Sequence, residues 1–343
     1  ALAGARSPKP GARPSRVGSG QAALGMRVSF ADRLRQRLRP SPPPADAPAP
    51  RVEAPSPARP EPPPGATNYV VITLDSCRFD SFMRAKPKII PKLGPVEKRW
   101  TYATWTAPSH YNLLIGLLPH VSPSHVYASE YYKDDFLKFK ERLSFDLSFG
   151  KMVPHLWLPS YLQSVGYRTG MYVAMPVLNP STPMNRGFDD YALMDRHNDI
   201  VPMIRRLRFY EERPSFYVIN SGETHYPYAT PDEPENEWPR ISGVNGVFKH
   251  LDDHVRAGNL VHHEEAPRFF DDDKMKQLHV RQINAVRWVD AAIEELFDTV
   301  PKGTWITITA DHGELFGEKG YFGHGPINHE KVIEVPFVEG RIR

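Results

Sequence analysis

Hydrophobic positions along this chain fall into short runs separated by polar, turn-forming stretches. Residues 69–74 are almost uninterruptedly apolar, the pattern of a strand buried on both faces rather than half exposed. Residues 169–175 and 215–220 are read as further strands, and 305–309 as one that runs straight into Asp311. Helical spacing appears between them. Residues 108–118 form a helix with proline in its first turn and Thr106 at or beside its N-cap. Residues 156–165 form another, closed by Gly166. The longest, 274–297, carries Leu278, Ile283, Val286, Val289 and Ile293 along one side. Strands alternating with helices predict an α/β fold, with a mostly parallel central sheet flanked by helices on both faces. Residues 120–155 and 226–272 are polar, aromatic and turn-rich, and read as insertions at the sheet edge that wall or cover a pocket.

Composition divides the chain unevenly. Residues 1–66 hold 15 of the 36 prolines, 11 Lys/Arg and 4 Asp/Glu, so this segment is about +7 and the remainder about −4, giving +3 overall. It is too poor in large apolar side chains to offset its ordering entropy, and is expected to be a disordered Pro/Ala/Arg-rich tail ahead of one domain, 67–343. Residues 26–38 could form a short basic amphipathic helix. The basic charge belongs to the tail, so no nucleic-acid partner is expected of the domain. No run of about 18 apolar residues calls for a transmembrane span. A lone Cys77 excludes an intrachain disulfide framework and fits a reducing compartment. With no signal-peptide apolar region visible, the expected location is cytoplasmic, periplasmic and organellar placement staying open. The oligomeric state is not legible.

The chemistry gathers where strands end. Asp75 closes the first strand, Asp311 and His312 follow the 305–309 strand, and Thr106 opens a helix between them. Alone, Asp75 could be an N-cap and Asp311-His312 a turn. Together, two carboxylates, one imidazole and one hydroxyl suit a divalent cation, zinc first and manganese next. A threonine hydroxyl is a poor nucleophile until its pKa is lowered, and a helix N-terminus offers backbone N–H groups to an anionic oxygen. His225, after the 215–220 strand, and His324, in a Gly-His-Gly turn, are candidates to donate to substrate oxygens, protonate a leaving group or hold a second metal. Surface roles stay open for both. The glycines between 313 and 325 suit a compact loop folding back toward the site. Lys319, Arg78, Asp80, His110 and His329 rank second. Arg78 is expected to pair with Asp80, and His110 to orient Thr106.

These motifs, in this order, resemble the alkaline phosphatase superfamily in its sulfatase-like branch. Asp75-Ser-Cys-Arg-Phe-Asp is similar to the first metal motif. Thr106-Ala-Pro-Ser-His-Tyr-Asn-Leu-Leu-Ile-Gly resembles the nucleophile motif of nucleotide pyrophosphatase/phosphodiesterases. Arg186-Gly-Phe-Asp-Asp resembles a sulfatase segment. Asp311-His-Gly-Glu, running on to Gly323-His324-Gly, resembles the second metal motif of sulfatases and phosphoethanolamine transferases. The resemblance implies Asp75, Thr106, Asp311 and His312 as metal ligands, with Thr106, His225 and His324 catalytic. It implies one tight metal, a second through His225 and His324 staying open, and a last strand beyond Val335-Pro-Phe-Val. Thr106 stands where formylglycine sulfatases need Cys or Ser, and Cys77 lies in the wrong frame. Phosphoryl transfer to or from a small-molecule or lipid phosphate ester, by a hydrolase or a phosphotransferase, is therefore the expected reaction. Sulfatase-like ester hydrolysis and a non-catalytic metal-binding scaffold are the alternatives. The aromatic stretch 127–132 and Trp157 to Pro159 are expected to line the substrate pocket.

Overall fold

A computed structural model describes residues 59–121, 141–145, 156–239, 241 and 270–343. Its centre is a seven-stranded sheet. In chain order the elements are β1 (Tyr69–Leu74), α1 (Phe79–Ala85), β2 (Glu97–Trp100), α2 (Thr106–Leu114), α3 (Leu158–Ser164), β3 (Arg168–Val173), β4 (Asp190–Leu193), α4 (Val201–Arg206), β5 (Ser215–Ser221), α5 (Asp272–Ala292), α6 (Glu294–Thr299), β6 (Trp305–Ala310), β7 (Leu315–Phe316), β8 (Phe322–Gly323), α7 (Glu330–Ile333) and β9 (Glu334–Arg341). The sheet order is β2-β9-β6-β1-β5-β3-β4. From β6 to β4 all neighbours run parallel, while β9 is antiparallel to both β6 and β2. The expected α/β architecture is thus present, with one antiparallel strand inside it.

Every residue of β1 and β5 is buried. Successive side chains of a strand point to opposite faces, so both faces of the sheet are covered. On one face Tyr69, Val71, Met171, Val173, Phe216 and Val218 form a single core with Leu113 and Leu114 of α2 and Leu158, Tyr161 and Leu162 of α3. Each fully buried Val or Leu there is worth about 1.5–3 kcal/mol over its exposed state.

Element ends differ from the sequence expectation in instructive ways. Helix α2 starts at Thr106 and stops at Leu114, short of 118, because Gly116 takes φ +97° and turns the chain. The long helix divides at Ile293 into α5 and α6. Val335-Pro-Phe-Val itself lies in a strand, β9. The first described residues belong to the stretch expected to be tail, yet they lie on the domain: Arg59 Nη1 donates to the Tyr167 carbonyl at 2.7 Å, and the guanidinium pairs with Asp189. The expected helix at 26–38 lies outside the described residues. No described helix is long and apolar enough to cross a membrane.

Candidate active site at the carboxyl edge of the sheet

Three adjacent parallel strands, β6, β1 and β5, end level with one another: Leu74 pairs with Ala310 on one side and Ser221 on the other. The residues that follow therefore emerge side by side at the carboxyl edge, where open α/β sheets place their sites. Asp75 comes from β1, Asp311 and His312 from β6, and Thr224 and His225 from β5. The ligand-type atoms of Asp75, Asp311 and His312 all lie within 4.8 Å of one another, and all three side chains are buried.

Each is held in place by neighbours. Asp75 Oδ2 accepts from Asn220 Nδ2 at 2.9 Å and Oδ1 from the Ser76 hydroxyl at 3.1 Å. Asp311 Oδ1 accepts from the backbone N–H of Ser76 at 3.1 Å and of His312 at 2.9 Å. Ser76 thus contacts both carboxylates, and it does so from left-handed backbone, φ +60°. For a non-glycine residue that conformation costs about 1–3 kcal/mol and persists only where the surroundings over-determine it. His312 Nδ1 donates to the Gly313 carbonyl at 2.9 Å, which leaves Nε2 with its lone pair, 3.4 Å from Asp311 Oδ2 and 4.0 Å from Asp75 Oδ1. Gly313 is required by close packing, since a Cβ there would lie 2.1 Å from the Lys331 carbonyl oxygen.

Asp311 Oδ2 is buried and has no hydrogen-bond donor. Burial, and then the charge of Asp75, push the Asp311 carboxyl well above its ordinary range. Burial also raises Asp75, but its neighbours, His225 foremost, together with the Asn220 hydrogen bond, outweigh it and leave Asp75 below its ordinary value. His312 is driven well below its usual value by burial first and His324 second. Two packed carboxylates, one orphaned oxygen and a neutral imidazole with a free lone pair meet what a divalent cation requires, so these residues fit one.

Thr106 stands at the first position of α2, with its Oγ1 3.3 Å from His312 Nε2. His110, one turn on, donates from Nδ1 to the Thr106 carbonyl at 2.8 Å and meets the Thr73 hydroxyl with Nε2 at 3.1 Å, which pins the start of the helix to β1. Burial lowers the pKa of His110 below its ordinary value, against the pull of the Thr106 carbonyl and Asp75.

The 313–325 segment folds back as expected. The ribbon β7–β8 pairs Leu315 with Gly323, and Gly323 and Gly325 take positive φ on either side of His324. The His324 ring is returned to 4.2 Å from that of His312 and 5.5 Å from that of His225. Its Nδ1 meets Glu314 Oε1 at 3.2 Å, and Glu314 Oε2 accepts from the Tyr228 hydroxyl. Burial opposes a proton on His324, but the Glu314 bond and charge raise its pKa. His225 donates from Nδ1 to the Tyr226 carbonyl at 2.9 Å. All six residues singled out in the sequence are thus brought to one edge.

The second-rank residues divide. Arg78 makes a two-pronged pair with Asp80, both bonds 2.7 Å, and reaches Glu318 at 2.6 Å, which is a structural assignment. His329 caps α7 by accepting from Lys331 N. Lys319 is exposed in the turn of the ribbon. In Arg186-Gly-Phe-Asp-Asp, Asp189 accepts from Thr169 N at the start of β3, the amino edge, away from the site. Trp157 does not line the pocket: it is 4% exposed, packed in the core, and its indole donates to the Arg186 carbonyl at 2.6 Å. The 127–132 stretch lies outside the described residues. Asn220 and Glu314 were not picked out as site residues from the sequence. Glu314 had a signal, its place directly after Asp-His-Gly, whereas Asn220 ends a hydrophobic strand without one.

No match is found among curated protein sequences. Among solved structures, the C-terminal periplasmic domain of EptC from Escherichia coli, in complex with zinc, is 13% identical with TM-score 0.48, over 81% of this chain and 73% of that one. A 2-O GAG sulfatase is 13% identical with TM-score 0.46, over 81% and 65%. The soluble domain of lipooligosaccharide phosphoethanolamine transferase A from Neisseria meningitidis is 12% identical with TM-score 0.42, over 83% and 80%. The sulfatase family model matches residues 67–338, most of the chain. The chain therefore belongs to the sulfatase family.

Proposed function

We propose that the chain is a metal-dependent phosphoryl-transfer enzyme, a phosphoester hydrolase or phosphotransferase with Thr106 as nucleophile. The observation that carries the reading is the placement of Thr106 Oγ1 beside His312 Nε2, at a helix N-terminus and against the Asp75–Asp311–His312 cluster. Those three side chains and the Thr106 hydroxyl would hold one divalent ion, zinc first and manganese next. When bound, the ion supplies positive charge that lowers the pKa of the threonine hydroxyl and offsets charge on substrate oxygens. The rest is the work of the chain. Thr106 Oγ1 attacks phosphorus, its proton passing to solvent water, as the phosphorus–oxygen bond to the leaving alcohol breaks. The unpaired first N–H groups of α2 face the non-bridging oxygens. His324, held by Glu314, gives the leaving oxygen its proton, and His225 donates to the phosphoryl group. Water or an acceptor hydroxyl then attacks phosphorus and releases Thr106. The substrate would be a small-molecule or lipid phosphate ester.

The test compares zinc- or manganese-loaded protein with Thr106→Ala on p-nitrophenyl phosphate, bis-p-nitrophenyl phosphate and p-nitrophenyl sulfate. The phosphate esters are expected to be preferred, and the substitution to lower kcat by about 10³-fold or more. Turnover that survives in Thr106→Ala removes the nucleophile assignment, and preference for the sulfate ester removes phosphorus as the reacting centre.

A further inference from the structure

Helix α5 contributes no residue to any of the motifs above, yet its inner face reaches the site. Gln282 is fully buried. Its Nε2 donates to the Ser76 carbonyl at 2.8 Å and to the Thr224 carbonyl at 3.0 Å. Its Oε1 accepts from the Ser81 hydroxyl at 2.6 Å, and His279 Nε2 lies 2.9 Å from that same hydroxyl. Two carbonyls on one end and a hydroxyl donor on the other leave a single orientation for the amide.

Those two carbonyls belong to the loops that matter. Ser76 contacts both Asp75 and Asp311, and Thr224 donates through Oγ1 to the Asp75 carbonyl at 2.7 Å while preceding His225. His279, three residues before Gln282 on the same face of α5, stacks on Phe316 of the returning ribbon at 4.8 Å. One turn of one helix therefore touches the loop after β1, the loop after β5 and the segment between His312 and His324. We infer that Gln282 is a positioning residue that holds Ser76 in its left-handed conformation and fixes the loop of Asp75 against the loop of His225. This rests on the proposed role of Asp75 and Asp311 as metal ligands.

The test uses the full chain with Gln282→Met, which keeps the length and removes the donors. Gln282→Glu keeps the length and the acceptor without the N–H₂. Ser81→Ala removes the donor to Oε1 and leaves both main-chain carbonyls their amide donor. Zinc affinity is read by competition with a chromogenic chelator, backbone protection by hydrogen exchange, and kcat and KM on the phosphate ester that the wild type turns over. Both Gln282 variants are expected to weaken zinc about 10–100-fold, as loss of a residue that orients metal ligands does. They should lower kcat more than they raise KM, and speed exchange in peptides containing Ser76 and Thr224 but not in β3 or β4. Ser81→Ala should move the same readouts less, and it decides the matter where a Gln282 variant does not fold. Wild-type exchange at Ser76 and Thr224 in a folded variant overturns the inference. Zinc affinity left unchanged by Asp75→Ala is a different failure: it removes the ligand assignment, while exchange still decides the clamp.

Discussion

Glu223 offers a sharp test of the electrostatics behind the site. It is fully buried just past β5, accepting from Ile200 N at 2.6 Å and from the Ser221 hydroxyl. Burial pushes its carboxyl from an ordinary 4.5 up to about 7, against the pull of its hydrogen bonds. At 1.36 kcal/mol per pH unit, that gap corresponds to about 3 kcal/mol. The direction follows from proton counts. Between the two values the unfolded chain has released a proton that the folded protein keeps. Stability due to this group is therefore fully present below pH 4.5, declines as pH rises toward 7, and is flat above. Glu223→Gln keeps both contacts, because its oxygen can accept from Ile200 N and its N–H₂ can donate to Ser221 Oγ, and it removes the ionisation. Urea unfolding of both proteins near pH 5 and near pH 8 should show the variant gaining up to about 3 kcal/mol on the wild type across that interval. Parallel pH dependences would refute the argument, and with it the reading that burial governs the Glu223 carboxyl.

Three further outcomes are expected. Glu314→Gln should lower kcat about tenfold by loosening His324; in a His324→Ala background the same change should cost under about twofold, and an undiminished effect there would separate Glu314 from His324. Removing bound zinc with a chelator should lower the melting temperature in calorimetry, and zinc at about 100 times its Kd should restore about 2.7 kcal/mol; an unmoved melting curve would mean that the three-residue cluster holds no ion. Arg78→Met should destabilise by about 2–3 kcal/mol in urea, below the figure for a fully buried pair because Asp80 and Glu318 are each about a third exposed; a change under about 0.5 kcal/mol would show that the pair contributes little.

What the sequence revealed follows from what is local. β1, β5 and β6 were legible because each is a short run of mostly apolar, β-branched or aromatic residues, and Asp75, Asp311 and His312 were legible because each follows such a run. β2 was not, since its core-facing position is Arg99, whose guanidinium lies over the Phe337 ring at 3.4 Å where an aliphatic side chain would be expected. β9 was not, since Pro336 interrupts a strand that lies between two others. The link from Glu314 to Tyr228 spans 86 residues and that from Gln282 to Ser76 spans 206; no periodicity records such contacts. Trp157 was misplaced for the opposite reason: a tryptophan next to the 120–155 insertion suggests a pocket wall, and only the core around it shows where it packs.

The level ending of β6, β1 and β5 has a further consequence. Neighbouring strands in a sheet are separated by about 4.8 Å, a spacing fixed by main-chain hydrogen bonds. Asp75 and Asp311 each follow a residue of one paired rung, so their separation is gauged by the backbone ladder rather than by rotamer choice. Substitutions around them can alter how tightly an ion is held, but its position would stay constant. Diversification among proteins built this way should therefore collect in the loops that run on beyond the paired rungs, with positions 75 and 311 left as a common reference point.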